Sequence, residues 1–159
     1  MLTYFTSTFL GKLLATFFIS MVPVIELRFG LPYGIALGLP YPAALCAAVL
    51  GNTVPVPFIM IYIRRIFAWL RRRSPRWDGL IGRLERKAHL KGRLVRKYSA
   101  IGLCILVAIP LPGTGAWTGA LVAAVLDIRL KKALPAIFLG VCIAAAIMTA
   151  LTFGVIHIF

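Results

Sequence analysis

Residues Ala108–Ala124 read AIPLPGTGAWTGALVAA. Pro110, Pro112, Gly113, Gly115 and Gly119 fall inside an otherwise apolar stretch. Proline removes a backbone donor and clashes with the preceding helical turn. Glycine admits backbone geometries that other residues avoid. A helix entering this stretch therefore breaks in the middle of an apolar block. At membrane depth, broken backbone is tolerated only when protein buries it or it lines a wet cavity. The stretch predicts a re-entrant helical hairpin over Ser99–Leu126, with its tip inside a membrane. A second breaker cluster holds Pro23, Glu26, Arg28, Gly30, Pro32 and Gly34, within VPVIELRFGLPYGIALGLP at Val22–Pro40. It predicts another hairpin, Leu2–Leu39.

The wider composition supplies the membrane. The chain has 159 residues, of which 61% are hydrophobic and 14% charged. Mean hydropathy is +0.95. A soluble domain is about 45–50% apolar and about 25% charged. A chain this short cannot bury such an excess, because small domains leave much of their surface exposed. Lipid solvates it instead. Two further apolar blocks, 43–65 and 133–157, approach or exceed the roughly 20 residues a span needs. The fold class expected is an all-α integral membrane protein.

Charge decides the topology. Of the 18 Lys and Arg, 13 lie between Arg64 and Lys97, and three more are Arg129, Lys131 and Lys132. Basic residues favour the cytoplasmic side. If every hairpin arm crossed the membrane, the two basic loops would lie on opposite faces. With re-entrant hairpins both become cytoplasmic and both termini lie outside, in a prokaryotic inner membrane. The result is a single membrane domain of two inverted repeats, each a hairpin followed by a transmembrane helix. The first repeat is 1–65 and the second 99–159. AALCAAVLGN (Ala43–Asn52) echoes KKALPAIFLGV (Lys131–Val141), matching Gly51 to Gly140; Pro23 is matched to Pro110. The linker, 66–98, is read as a basic cytoplasmic amphipathic helix over Arg76–Tyr98, lying on anionic head groups. A net charge of +14 would also suit nucleic acid, but the flanking apolar spans make that the poorer match. No nucleic-acid partner is expected.

Charges at membrane depth are costly and usually face a pathway or a partner. Glu26 and Arg28 are thus the leading candidates for binding substrate or ion. Glu26 is a titratable group able to couple transport to protons. Arg28 offers a guanidinium fork that matches phosphate oxygens. A structural alternative is a buried pair tying the hairpin to its counterpart. In the second tip, Thr114 and Thr118 offer hydroxyls and Trp117 an indole donor. A helix starting near Gly115 would aim free amides at an anion. Pro23, Gly30, Pro32, Asn52, Pro110, Pro112 and Gly113 are read as structural residues of the tips and breaks. Asn52 is expected to bond a neighbouring helix or broken backbone. Asp127 and Arg129 are expected to pair locally, with Arg129 also a candidate head-group contact. Lys12 is read as snorkelling to the interface. No Cys/His spacing resembles a metal site. No nucleophile and base or paired acids stand at catalytic spacing, so neither an enzyme nor a cofactor is expected.

The strings VPVIELRFGLPYGIALGLP, LGNTVPVPFI and AIPLPGTGAWTGALVAA resemble the hallmarks of the small multidrug export protein family, over roughly Phe17–Ile156. That family is considered a distant relative of the DedA, or VTT-domain, superfamily. The resemblance implies two opposed re-entrant hairpins and the movement of phospholipids or a polyprenyl phosphate carrier. Glu26 matches the acid of the superfamily's first hairpin. The arginines expected around the second tip are replaced here by Thr114 and Gly115, and the nearest is Arg129.

The leading expectation is a transporter or lipid translocator moving an amphiphile with an anionic head, with proton coupling through Glu26. The alternatives are a proton-coupled exporter of small hydrophobic cations and a non-transporting membrane scaffold. The partners expected are membrane lipids, a small amphiphilic substrate and further copies of the chain in a homo-oligomer.

Overall fold

The computed structural model describes residues 8–73, 75–91, 100–109, 111 and 114–156. Among these the chain is helical, without a strand. The helices are α1 Phe9–Met21, α2 Glu26–Ala36, α3 Tyr41–Thr53, α4 Pro55–Arg73, α5 Pro75–Lys91, α6 Ala100–Ala108, α7 Ala116–Val125 and α8 Leu130–Ile156. The breakers act where the sequence places them. α1 stops before Pro23, and α7 starts only after Gly115.

Helix lengths divide the molecule into two kinds of element. α3 and α4 follow each other across Val54 and form one rod, Tyr41–Arg73, containing an 18-residue window of mean hydropathy 1.9. Leu130–Gly154 of α8 contains an 18-residue window of mean hydropathy 2.4. Both are long enough to cross the roughly 30 Å hydrocarbon core of a bilayer. The remaining apolar helices pair as α1–α2 and α6–α7. Among the described residues the longest of them, α1, has 13. At about 1.5 Å per residue it reaches about 20 Å, too short to cross alone.

The exits of α2 and α7 are built alike, 89 residues apart. After α2, Gly38 takes φ 78. Its N–H donates to Ile35 O (2.9 Å) and that of Leu39 to Gly34 O (3.1 Å). After α7, Asp127 takes φ 55. Its N–H donates to Ala124 O (3.3 Å) and that of Ile128 to Ala123 O (2.9 Å). Both are Schellman motifs, which satisfy carbonyls that a helix end leaves open. The following carbonyls, Pro40 O and Arg129 O, then accept from the first turns of α3 and α8 in the same pattern.

Close packing repeats with the same shift. A Cβ on Gly51 would strike the Phe17 carbonyl, so α1 crosses α3 in backbone contact. A Cβ on Gly140 would lie 2.8 Å from the Cys104 carbonyl, where α6 crosses α8. Gly30 lies against Ser20 of α1, and Gly119 against Val107 of α6. Small residues at such crossings let backbones approach without a hydrophobic driving force.

The two long rods run antiparallel. At one end the Tyr41 and Thr149 hydroxyls are 2.6 Å apart, and the Tyr41 ring meets Phe153. At the other, Arg64 pairs with Asp127. The basic residues of α4 and those at Arg129–Lys132 gather at this second end. The rod does not stop near residue 65, as the span 43–65 predicts. It continues to Arg73, since arginine is a good helix former once the chain leaves an apolar environment. α5 then folds back, held by Arg71 to Asp78 (3.2 Å) and to Glu85 (2.7 Å). Ile81 and Ala88 are buried, and α5 packs on α4 and α7. Of the helix expected over Arg76–Tyr98, residues 92–98 lie outside the described set.

The first tip is shorter than its breaker cluster implies. The turn is 22–25, with Pro23 exposed and Val24 at φ 80. Gly30 and Pro32 lie inside α2, not at the tip. Helix geometry tolerates them because Gly30 serves packing and Pro32 costs one hydrogen bond. Lys12 stands near the open end of the α1–α2 pair, beside Gly38 at the C-terminal end of α2.

Candidate functional site

The turns of the two short pairs meet. Glu26, the first residue of α2, is 5% exposed. Its backbone sits at φ 50, a left-handed geometry that non-glycine residues adopt at a cost. Oε1 accepts the Trp117 backbone N–H at 3.4 Å. Gly115, at φ 141, precedes α7, and a Cβ there would overlap the Glu26 carboxylate. The carboxylate thus occupies the N-terminal end of α7, where free amides and the helix dipole favour negative charge.

Arg28 serves the opposite pole of the same break. Its Nη1 donates to Leu111 O. Its Nη2 donates to Thr114 O (2.5 Å), Thr114 Oγ1 (2.8 Å) and Ile109 O (3.5 Å). Thr114 Oγ1 also accepts the Leu111 N–H at 3.2 Å. These carbonyls follow the C-terminus of α6, where a cation is favoured. One broken helix in the second pair is therefore met at its negative end by Arg28 and at its positive end by Glu26.

A second contact reciprocates. The Trp117 indole N–H donates to Met21 O, the last carbonyl of α1, at 3.0 Å. Arg28 and Trp117 are related by the same shift of 89, as are Glu26 and Gly115. Each second arm thus sends a donor to the end of the other pair's first arm. Glu26 and Gly115, equivalent in position, touch each other between them.

Several sequence expectations change. The α7 N-terminus, expected to receive a substrate anion, holds the protein's own carboxylate. Arg28, expected on a phosphate, is engaged by backbone carbonyls. The two charges form no ion pair with each other; among the described residues the ion pairs are Arg64–Asp127, Arg71–Asp78 and Arg71–Glu85. Asp127 pairs across to Arg64 of α4 instead of locally with Arg129. Arg129 is exposed at the start of α8. Asn52, expected to bond a neighbour, is 4% exposed, and among the described residues its Oδ1 has no partner. Thr118 and Trp117 line a cavity of about 190 Å³ between α4, α5 and α7. Pro110, Pro112 and Gly113 lie outside the described residues.

Two residues were missed. Thr16 and Ser20 are fully buried, and their hydroxyls bond back to Lys12 O (2.8 Å) and Thr16 O (2.7 Å). Gly34 and Gly30 rest on them. The signal was available: two small residues four apart on each arm, facing each other. Among the described residues, no group of three His, Cys, Asp or Glu could hold a metal.

A family profile described as "Putative small multi-drug export protein" matches residues 26–147. The chain belongs to this family. The match begins at Glu26 and takes in the second pair and most of both long rods. No curated protein and no solved structure matched the chain. Membership in an export family, together with two helices fit to cross a bilayer, makes this a membrane protein of the transport class.

Proposed function

We propose that this export-family protein carries amphiphiles with an anionic head, and that the clasp between the two turns is its gate. The carrying observation is the reciprocal contact of Glu26 and Arg28 with the two ends of the α6–α7 break. It joins two half-length helical pairs through charges that are expensive to bury. It can be exchanged for substrate contacts, and a purely structural joint would not need ionic groups.

The architecture proposed is two re-entrant hairpins entering from opposite faces. Arm lengths support it, and so do the twinned exits and the twinned glycine crossings. The Arg64–Asp127 end is taken as cytoplasmic, the Tyr41–Thr149 end as outside. The halves are unequal. The α7 face bearing Leu121 and Val125 is covered by α4 and α5. Its counterpart on α2, bearing Pro32 and Ala36, opens onto an apolar groove of about 590 Å³. Unequal twins are what a carrier needs if its two states exchange the roles of the halves.

The test is flux of a labelled lipid phosphate in liposomes, with and without a pH gradient. Glu26→Gln and Arg28→Ala should each slow it by tenfold or more (about 1.4 kcal/mol per decade). Equal flux in wild type and both variants would sink the proposal. The family description speaks of drug export, and a second reading is export of hydrophobic cations with Glu26 exchanging protons. In that case protection against lipophilic dyes vanishes in Glu26→Gln and survives in Arg28→Ala.

A further inference from the structure

Two cavities lie side by side at the basic end and share the wall formed by Ile63 and Phe67. The polar one, about 320 Å³, lies between α4 and α5 and reaches Val125 of α7. Its polar lining includes Arg64, Arg71, Glu85 and His89. The other, about 190 Å³, is apolar and is lined by Trp117 among others, whose backbone N–H meets Glu26. A polar cavity thus adjoins an apolar slot that reaches the clasp.

We propose that these cavities hold one phosphate-headed amphiphile of the adjoining leaflet, head at Arg64 and Arg71, chain along Ile63 and Phe67 toward Trp117. The proposal rests on the amphiphile-carrier reading and names the binding site for that cargo on the basic side. The orientation follows from the wall chemistry: head among the charges, chain along the apolar slot. Among the described residues both guanidinium groups have donors to spare: Arg64 uses Nη1 on Asp127, and Arg71 uses Nε and Nη2 on Asp78 and Glu85. The remaining N–H groups suit phosphate oxygens. The polar volume lies at the small end of the roughly 300–1,000 Å³ typical of ligand sites, which fits a head group. The chain takes the slot instead, where apolar side chains replace the surrounding lipid.

The experiment uses full-length protein in nanodiscs, with Trp69→Phe and Trp77→Phe leaving Trp117 as the sole indole. Bromine on the acyl chain quenches a nearby indole. A brominated-chain phosphate monoester is titrated against the same chain carrying a trimethylammonium head. The expected result is saturable quenching with a midpoint at least about tenfold lower for the phosphate head, the worth of one charge-assisted contact. Arg71→Gln should erase that preference, and Leu121→Phe, which fills the slot, should weaken both ligands. Thermal unfolding confirms that each variant remains folded; Arg64→Gln serves in place of Arg71→Gln if the latter does not. Equal midpoints for the two heads would overturn the site. So would full competition by inorganic phosphate at the midpoint concentration of the amphiphile. Binding as described without lipid flux would leave the site standing and condemn the carrier reading. Flux without binding would do the reverse.

Discussion

Gly115 is the residue on which the clasp turns. Its φ of 141 is open to glycine and strained for any side chain, and a Cβ would overlap the Glu26 carboxylate. Gly115→Ala should therefore lower stability by about 1–3 kcal/mol through strain alone, read as a drop in unfolding temperature. It should also displace Glu26 from α7. Glu26 itself separates two roles. Glu26→Gln keeps an oxygen to accept the Trp117 amide, whereas Glu26→Ala removes it, costing a further ~1 kcal/mol typical of a lost cap. If Gln and Ala variants unfold at the same temperature, the carboxylate is not acting as a cap. The sequence made Glu26 and Arg28 conspicuous because charge is rare among apolar neighbours. It did not disclose their partners, which apart from the Thr114 hydroxyl are backbone groups more than eighty residues away. Carbonyls and amides carry no residue signature.

Among the elements, the crossings of α1 on α3 and of α6 on α8 set the spacing of each half. Gly51→Ala and Gly140→Ala each place a Cβ against a backbone carbonyl that cannot swing aside. Each should cost about 1–3 kcal/mol, the range for overpacking, and the two should add if the halves are independent. Gly79→Ala, with nothing within 4 Å of its Cβ position, is the control and should be neutral or stabilising, as alanine favours helix. By contrast Arg64–Asp127, whose side chains are 58% and 69% exposed, should contribute no more than about 1 kcal/mol. A charge swap there tests proximity better than strength. Element boundaries were legible at Pro23 and Gly115, but Gly30 and Pro32 stand inside α2 and mark none. The left-handed exit at Asp127 was not legible, because aspartate signals a turn only weakly beside glycine. Of the 89-residue register, the Gly51–Gly140 match was read from the sequence and the Gly30–Gly119 match was not. The register emerges from caps and crossings, which conserve geometry while the side chains differ.

For the whole molecule, the decisive question is whether the twinned exits face opposite sides. Pro40 and Arg129 hold equivalent places in the two halves, each accepting the first hydrogen bonds of the rod that follows. Both are exposed. In a direct repeat, equivalent residues share a face; in an inverted repeat they do not. The antiparallel rods already separate them, since Pro40 adjoins the Tyr41–Thr149 end and Arg129 the Arg64–Asp127 end. The expectation is that Pro40→Cys reacts with a membrane-impermeant maleimide on intact cells. Arg129→Cys should react only after permeabilisation, with Cys46, Cys104 and Cys142 replaced by alanine in both cases. Labelling of both from one side would remove the inverted arrangement, and with it the reason for treating Glu26 and Gly115 as two halves of one gate. Opposite labelling would place the clasp where the two half-length pairs meet, at about half the depth of the ~30 Å core. There a carboxylate and a guanidinium with no function would be too costly to keep.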